Sequence, residues 1–329
     1  MSLLAQHPWE YIHKPFGQAL HAVGESRADV VVLAGDLGRW TDSDAFIQAF
    51  PERFFEMGMA EQNMTGVAAG LARTGHVPFI AGYGVFSTRR AFDQLANNIA
   101  LDRANVKVMG FLPGLTTPFT THQAIEDLAI TRALPNMVVI DPGDAVELMQ
   151  AIHAVAAYEG PVYMRSPRGQ VPAIFAANKL HFEIGKAQLI YEGHDVALVS
   201  TGLMLEPVLM AARILAEQGV SAAVLHMSTL KPFDSEALLN LAGQVRGVVT
   251  AENHSIIGGL AGVVAETLAR AGTPCRLEPV GLPDIFAAGG PFEYLTQRHH
   301  MTTHDIVQAA IRVLASNNVA ESKKPKLIK

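Results

Sequence analysis

One acid stands out by position. The run FFEMGMAEQNMTGVAAGLARTG places Glu61 at the start of a predicted helix whose remaining residues are mostly small and apolar, with Gly58 before it and Gly66 and Gly70 within it. Two chemistries suit an acid there. A carboxylate at a helix N-terminus complements the positive end of the dipole, an effect of about 0.3 to 1 kcal/mol. A carboxylic acid shielded from water can instead hold or share a proton with a ligand. Glycines four apart allow another backbone to come close, so the same helix suits a tight helix or subunit contact.

Three further segments carry groups that bind or react. In AGYGVFSTRRAFDQLANN, Tyr83 and Phe86 follow an apolar run, with glycines on both sides of the tyrosine. They can pack in a core or form a wall for a flat heteroaromatic ligand. Arg89 and Arg90 open the next helix, where cations oppose the dipole and call for an acidic partner or an anionic ligand. In LPGLTTPFTTHQAIEDLAITRALPN a loop of hydroxyl residues leads to His122 at a predicted helix start. A histidine there caps a helix, or faces a site as a hydrogen-bonding or proton-shuttling group. Arg165 and Arg168, in RSPRG, present planar forks that suit a carboxylate or phosphate, or an ion pair that fastens a linker.

The elements that must position these groups follow from periodicity. Short β-branched runs alternate with longer segments of helical period, the pattern of parallel strands joined by crossover helices. Strands are predicted at 29–34, 76–81, 106–110 and 137–140, with helices at 16–25, 62–74, 90–100, 123–133 and 145–158. The segment PVYMRSPRGQVPAIF then interrupts the alternation. A second series follows, with strands at 196–200, 222–226 and 245–251 and helices at 206–218, 259–271 and 304–314. The expected organisation is two doubly wound α/β domains, 1–175 and 193–317, with a linker at 176–192 and a disordered Lys-rich tail at 318–329. In such sheets the ligand sits beyond the carboxyl ends of the strands, where the four segments above fall.

Composition narrows the field. At 49% hydrophobic and 17% charged residues, the 329-residue chain is expected to be globular and soluble. A formal charge of -6 with both signs mixed along the sequence offers no basic stripe, so nucleic acid is not an expected partner. The single cysteine, Cys275, excludes an internal disulfide and fits a reducing cytoplasm. No paired-cysteine spacing suggests zinc, and His299, His300 and His304 read as surface histidines. No apolar run reaches the roughly 18 residues of a membrane span, so neither export nor anchoring is expected.

Taken together and in order, AEQN with its Gly-spaced helix, GYGVFSTRRAFDQ, THQAIEDLAITRALPNM and TAENHSIIGGLAGVVAE resemble the transketolase family over about residues 10–315. In that family these motifs lie in the second and third domains, the pyrimidine-binding and C-terminal domains, of one longer polypeptide. The resemblance implies a thiamine diphosphate enzyme. The glutamate matching Glu61 hydrogen-bonds a ring nitrogen of the cofactor's aminopyrimidine and promotes the tautomer that deprotonates the neighbouring thiazolium carbon. That carbon then attacks a ketose, and a two-carbon ketol unit passes to an aldose. By the same matching Tyr83 and Phe86 fall where aromatics enclose the aminopyrimidine and Asp36 at an acidic position near the thiamine, and Arg89 is a further candidate for binding the cofactor. His122 matches a histidine beside the substrate, and Arg165 or Arg168 an arginine that holds its phosphate or other distal anion.

Two departures shape the expectation. The Gly-Asp-Gly motif and later asparagine that bind magnesium and diphosphate in the family have no counterpart in this sequence. The expected assembly is therefore two such chains with two partner chains that carry that N-terminal half, the pair of like chains touching each other. The second departure is the loop TTPFTTHQ, which lacks the family's sugar-contacting aspartate. Leu112 stands where relatives have a histidine, and His13 or Lys14 where an arginine binds phosphate. A ketose other than the common pentose phosphates is the expected donor. The competing readings are the beta subunit of a 2-oxo acid dehydrogenase, a 1-deoxyxylulose 5-phosphate synthase branch suggested by RSPRG, and a non-catalytic subunit of a thiamine enzyme complex. A nicotinamide dehydrogenase fails for want of a G-x-G-x-x-G after the first strand.

Overall fold

Val30–Ala34 reads VVVLA and is buried at every position, as a strand covered by helices on both faces must be. The structure is a computed structural model that describes residues 3–320. Eight strands form in the first half: β1 Tyr11–His13, β2 Val30–Ala34, β3 Phe54–Glu56, β4 Val77–Tyr83, β5 Lys107–Phe111, β6 Val138–Ile140, β7 Val162–Ser166 and β8 Gln170–Pro172. Six follow in the second: β9 Gln188–Tyr191, β10 Val196–Ser200, β11 Ala222–His226, β12 Thr229–Lys231, β13 Gly247–Ser255 and β14 Arg276–Leu282.

They build two α/β units. The first sheet has the order β12-β6-β7-β5-β4-β2-β3, with every neighbour parallel except β12 on β6. The second has the order β14-β13-β10-β11-β9, antiparallel only at β9. β1 and β8 pair as a separate antiparallel ribbon. Parallel neighbours need long crossovers. Helices Glu61–Arg73 and Ala145–Ala157 supply two of them, the second capped by the Asp144 side chain, which accepts the Glu147 N–H at 2.7 Å. In the first sheet the chain leaves β2 toward β3 on one side and reaches β4 on the other. That reversal opens a crevice above the carboxyl ends of β2 and β4.

The structure corrects the reading in two places. PVYMRSPRGQVPAIF does not interrupt the alternation, because β7 runs through it, buried at all five positions between β5 and β6. The helix expected at 90–100 is broken into π-helical turns at Phe86–Arg90 and Leu95–Ala100 around a short helix Phe92–Gln94. The expected disordered tail falls outside the described residues, except for 318–320, which continue the last helix, Thr303–Ala320.

The halves are joined through buried polar groups. Arg165, on β7, donates from Nε to Asp127 at 2.8 Å, from Nη1 to Asp141 at 3.2 Å and to the Asn253 carbonyl at 3.1 Å. Its Nη2 donates to the Ala124 carbonyl at 3.0 Å and to Asp127 at 2.5 Å. Every guanidinium N–H is thus matched, and Asn253 lies on β13 of the second sheet. Burial pushes the Asp127 carboxyl up, but Arg165's charge and hydrogen bonds outweigh it and hold the carboxyl below its usual range. A second tie runs from Ser200 through His226 to Glu147, each step 2.9 Å. Its connectivity is that of a hydrolytic triad, but all three side chains are buried and the tie is structural. Glu252 caps the helix Leu260–Ala271, accepting the N–H groups of Leu260 and Ala261 at 2.6 and 2.8 Å. No helix among the described residues is long and apolar enough to cross a membrane.

His254 sits in the same seam, its Nδ1 2.6 Å from the Ser255 carbonyl and its Nε2 3.4 Å from the Ala129 N–H, so a neutral ring satisfies both contacts. Burial, then the charge of Arg165, lowers its pKa to about 4. An unfolded histidine takes its proton near 6.5, the usual value, so as the pH falls from there to about 4 the unfolded chain binds a proton that the native state refuses. That linkage removes up to about 1.4 kcal/mol of stability per pH unit. Denaturant titrations at pH 7, 6 and 5 are expected to show the stability advantage of wild type over His254→Gln shrinking as the pH falls. A constant advantage would refute the linkage.

Candidate active site

The crevice at the β2/β4 reversal is where the reactive side chains meet. The turn after β2 brings Asp36, the turn after β3 brings Met59 and Glu61, and β4 ends on Tyr83. Together with Phe86, Arg90 and His122 they line a cavity of about 300 Å³. Asp36 takes a left-handed backbone (φ 62), its N–H donating to a Glu56 carboxylate oxygen at 2.5 Å. Gly82 leaves room for the Ser87 side chain of the π-helical turn, whose Oγ a Cβ there would meet. The wide turn points both Phe86 and Arg90 into the cavity, a geometry often found at functional sites.

Glu61 is buried, 3% exposed, and Arg90 Nη1 donates to both of its oxygens at 2.8 Å. The Arg90 guanidinium also lies 4.3 Å from the centroid of the Phe86 ring. The other walls are aromatic: His122 meets Phe86 edge-on at 5.1 Å and Tyr83 at 6.0 Å, while Tyr83 and Phe86 are 6.2 Å apart. A flat heteroaromatic ring suits such a space, with the buried acid placed to meet a polar ring atom.

A second cavity, of about 540 Å³, continues past Tyr83 and His122, which line both. It is walled by Trp40, Leu112, Thr116, Thr117 and Phe119 and reaches Arg168. Leu112 is held at φ 57, a left-handed conformation that costs about 1–3 kcal/mol for a residue with a side chain and that gathers at binding sites. Arg168 Nη1 donates to the Trp40 carbonyl at 3.1 Å, and its guanidinium lies 5.4 Å from the Trp40 ring centroid. It is the one Lys, Arg, Asp or Glu among the described residues that line this cavity, and it suits the anionic end of a ligand.

Asp36, Glu61, Tyr83, Phe86, His122 and Arg168 are therefore gathered around two adjoining cavities. Arg165 and Arg89 are not. Arg165 lines neither cavity, because its donors are spent in the seam, and this corrects its expected contact with a substrate anion. Arg89 points away and pairs with Glu126 at 2.7 Å, which corrects its expected place at the cofactor. Arg90 lines the smaller cavity instead, because the π-helical turn changes which arginine of the doublet faces inward. Trp40 went unmarked as a site residue, and an aromatic in a polar loop carries no sequence signal until its arginine partner is known. Among the described residues no group of three or more His, Cys, Asp or Glu side chains is arranged to hold a metal ion.

Comparison with known proteins is consistent along the chain. The family "Transketolase, pyrimidine binding domain" matches residues 12–173, and "Transketolase, C-terminal domain" matches residues 185–306. A putative uncharacterized transketolase family protein of Sinorhizobium fredii is 46% identical over 89% of this chain and 86% of its own. The 6-deoxy-6-sulfo-D-fructose transketolase subunit SqwH of a Clostridium species is 41% identical, over 88% of this chain and 90% of its own. A solved structure described as a split gene transketolase, inactive beta4 tetramer, superposes with a TM-score of 0.85 at 41% identity, covering 92% of this chain and 97% of its own.

The Glu61–Arg90 pair is buried at one end and open to water at the other. The Arg90 side chain is 46% exposed, so losing its partner leaves it hydrated rather than stranded. Glu61→Gln is expected to change unfolding free energy by no more than about 1 kcal/mol, the scale of a helix-terminus charge. A loss of several kcal/mol in denaturant titration would make Glu61 a structural anchor.

Proposed function

The chain belongs to the transketolase family, and we propose that it is one subunit of a thiamine diphosphate-dependent transketolase that moves a two-carbon ketol unit from a ketose to an aldose. The observation that supports this most is Glu61, a buried acid set among aromatic walls above the β2/β4 reversal. The size of that cavity, its acid and its rings fit an aminopyrimidine. When bound, thiamine diphosphate supplies the carbon nucleophile and electron sink that carbon-carbon cleavage needs.

The chain's own groups then have distinct tasks. Glu61 holds or shares a proton with a ring nitrogen, shielded from competing water. Tyr83 and Phe86 enclose the ring, and Asp36 lies at the edge of the same cavity. His122 lines both cavities and so faces the junction of cofactor and sugar, where it donates and accepts protons at the reacting oxygens. Arg168 holds the distal anion of the sugar. Diphosphate and magnesium are bound mainly by a partner subunit carrying the N-terminal half of the enzyme, in an assembly of two chains of each kind. The description of relatives as subunits and as products of a split gene favours that division.

Leu112, Phe119 and Trp40 make the walls before Arg168 largely apolar, which favours a ketose with fewer hydroxyls near its anionic end than a pentose phosphate has. A relative whose description names a sulfonated ketose accords with a sugar other than a pentose phosphate.

Calorimetry of thiamine diphosphate and magnesium with the chain alone, and with the chain plus its partner, tests the proposal. Binding and aldehyde-dependent ketol transfer are expected only in the mixture, with transfer abolished by Glu61→Ala. Release of carbon dioxide from a 2-oxo acid would overturn it. Arg168→Ala is expected to raise KM for anionic sugars by about 10- to 100-fold, the worth of a charged hydrogen bond, with little change for glycolaldehyde as acceptor. Full efficiency with xylulose 5-phosphate and ribose 5-phosphate would overturn the substrate preference.

A further inference from the structure

Arg90 engages the two groups that the proposed function assigns to the aminopyrimidine. Its Nη1 bridges both oxygens of Glu61, and its guanidinium covers a face of Phe86. A ring stacked on that face at van der Waals distance would need the space the guanidinium fills, and its polar atom would share the oxygens that Nη1 engages. The two arrangements compete for the Phe86 face.

The contact is also built to give way. One nitrogen, rather than the two-pronged fork that makes arginine–carboxylate pairs strong, spans the carboxylate. The arginine is nearly half exposed, so water receives it when it moves. It stands on the last residue of a π-helical turn, an irregularity frequent at functional sites. Glu61, by contrast, is fixed at the first position of a regular helix.

We propose that Arg90 is a positioning residue that latches Glu61, keeping its carboxylate turned into the cavity and giving up its place on Glu61 and Phe86 as the aminopyrimidine enters. This rests on the reading of the cavity as the cofactor's ring site. Cofactor entry is then a displacement with two steps. The ring competes with the guanidinium, and a variant without the latch binds more tightly and in one step.

The test uses the chain assembled with its partner subunit and follows thiamine diphosphate with saturating magnesium by calorimetry and by stopped-flow fluorescence. Arg90→Gln is expected to tighten binding about tenfold, the combined worth of a half-exposed ion pair and a cation–π contact. Wild type is expected to show a phase whose rate saturates with cofactor concentration, and Arg90→Gln to lack it. Arg90→Lys keeps a charge but loses the planar stack and is expected to tighten binding by less. If Arg90→Gln fails to assemble, Arg90→Lys decides, an affinity equal to wild type counting against the latch. Equal affinity and equal kinetics in all three forms would overturn the latch while leaving the cofactor site in place. Weaker binding would make Arg90 a ligand-holding residue, and a change confined to the KM of the sugar would make it a substrate contact. Either result overturns the latch. No binding to wild type or variant would overturn the cofactor reading and the latch together.

Discussion

A guanidinium kept from water must find an acceptor for each of its donors, and Arg165 finds them in both halves of the chain. Removing one partner of such a buried pair costs about 3–5 kcal/mol, a large part of the net stability of an ordinary domain. The partners are not incidental to the site. Ala124 and Asp127 follow the short turn that presents His122, and Asn253 also receives the Leu115 N–H at 3.0 Å, beside the loop of hydroxyl residues. The arginine thus sets where the second half sits and where the walls of the larger cavity lie.

On that frame the site is a product of topology. Parallel strands deliver their following turns to one edge of the sheet, and the reversal between β2 and β4 spreads two of those turns apart. Residues distant in sequence, from Asp36 to Arg168, are brought to the rim. Tyr83 and His122 belong to both cavities, so a ligand in one is in contact with the walls of the other.

Much of this was legible beforehand because it rests on local rules. The runs 29–34 and 196–200 read as buried strands and form within a residue of that reading, and Glu61 at a helix start is visible as an acid out of place. What stayed hidden depends on partners. Arg165 and Arg168 are three residues apart and chemically equal, and only Asp127 and Asp141 decide which one is buried. Arg89 and Arg90 differ only in the pitch of a π-helical turn, which leaves no periodic mark. Short strands such as β3, β8 and β12 are three residues long and too brief for period to register.

β12 has a meaning for how such a chain can be inherited. It comes from the second half yet closes the edge of the first sheet beside β6, with Thr229 opposite Ile140. A gene break within the stretch between the two family matches would leave β6 with an open ladder, the kind of edge that recruits other strands and aggregates. The first sheet is therefore complete only with the second half attached.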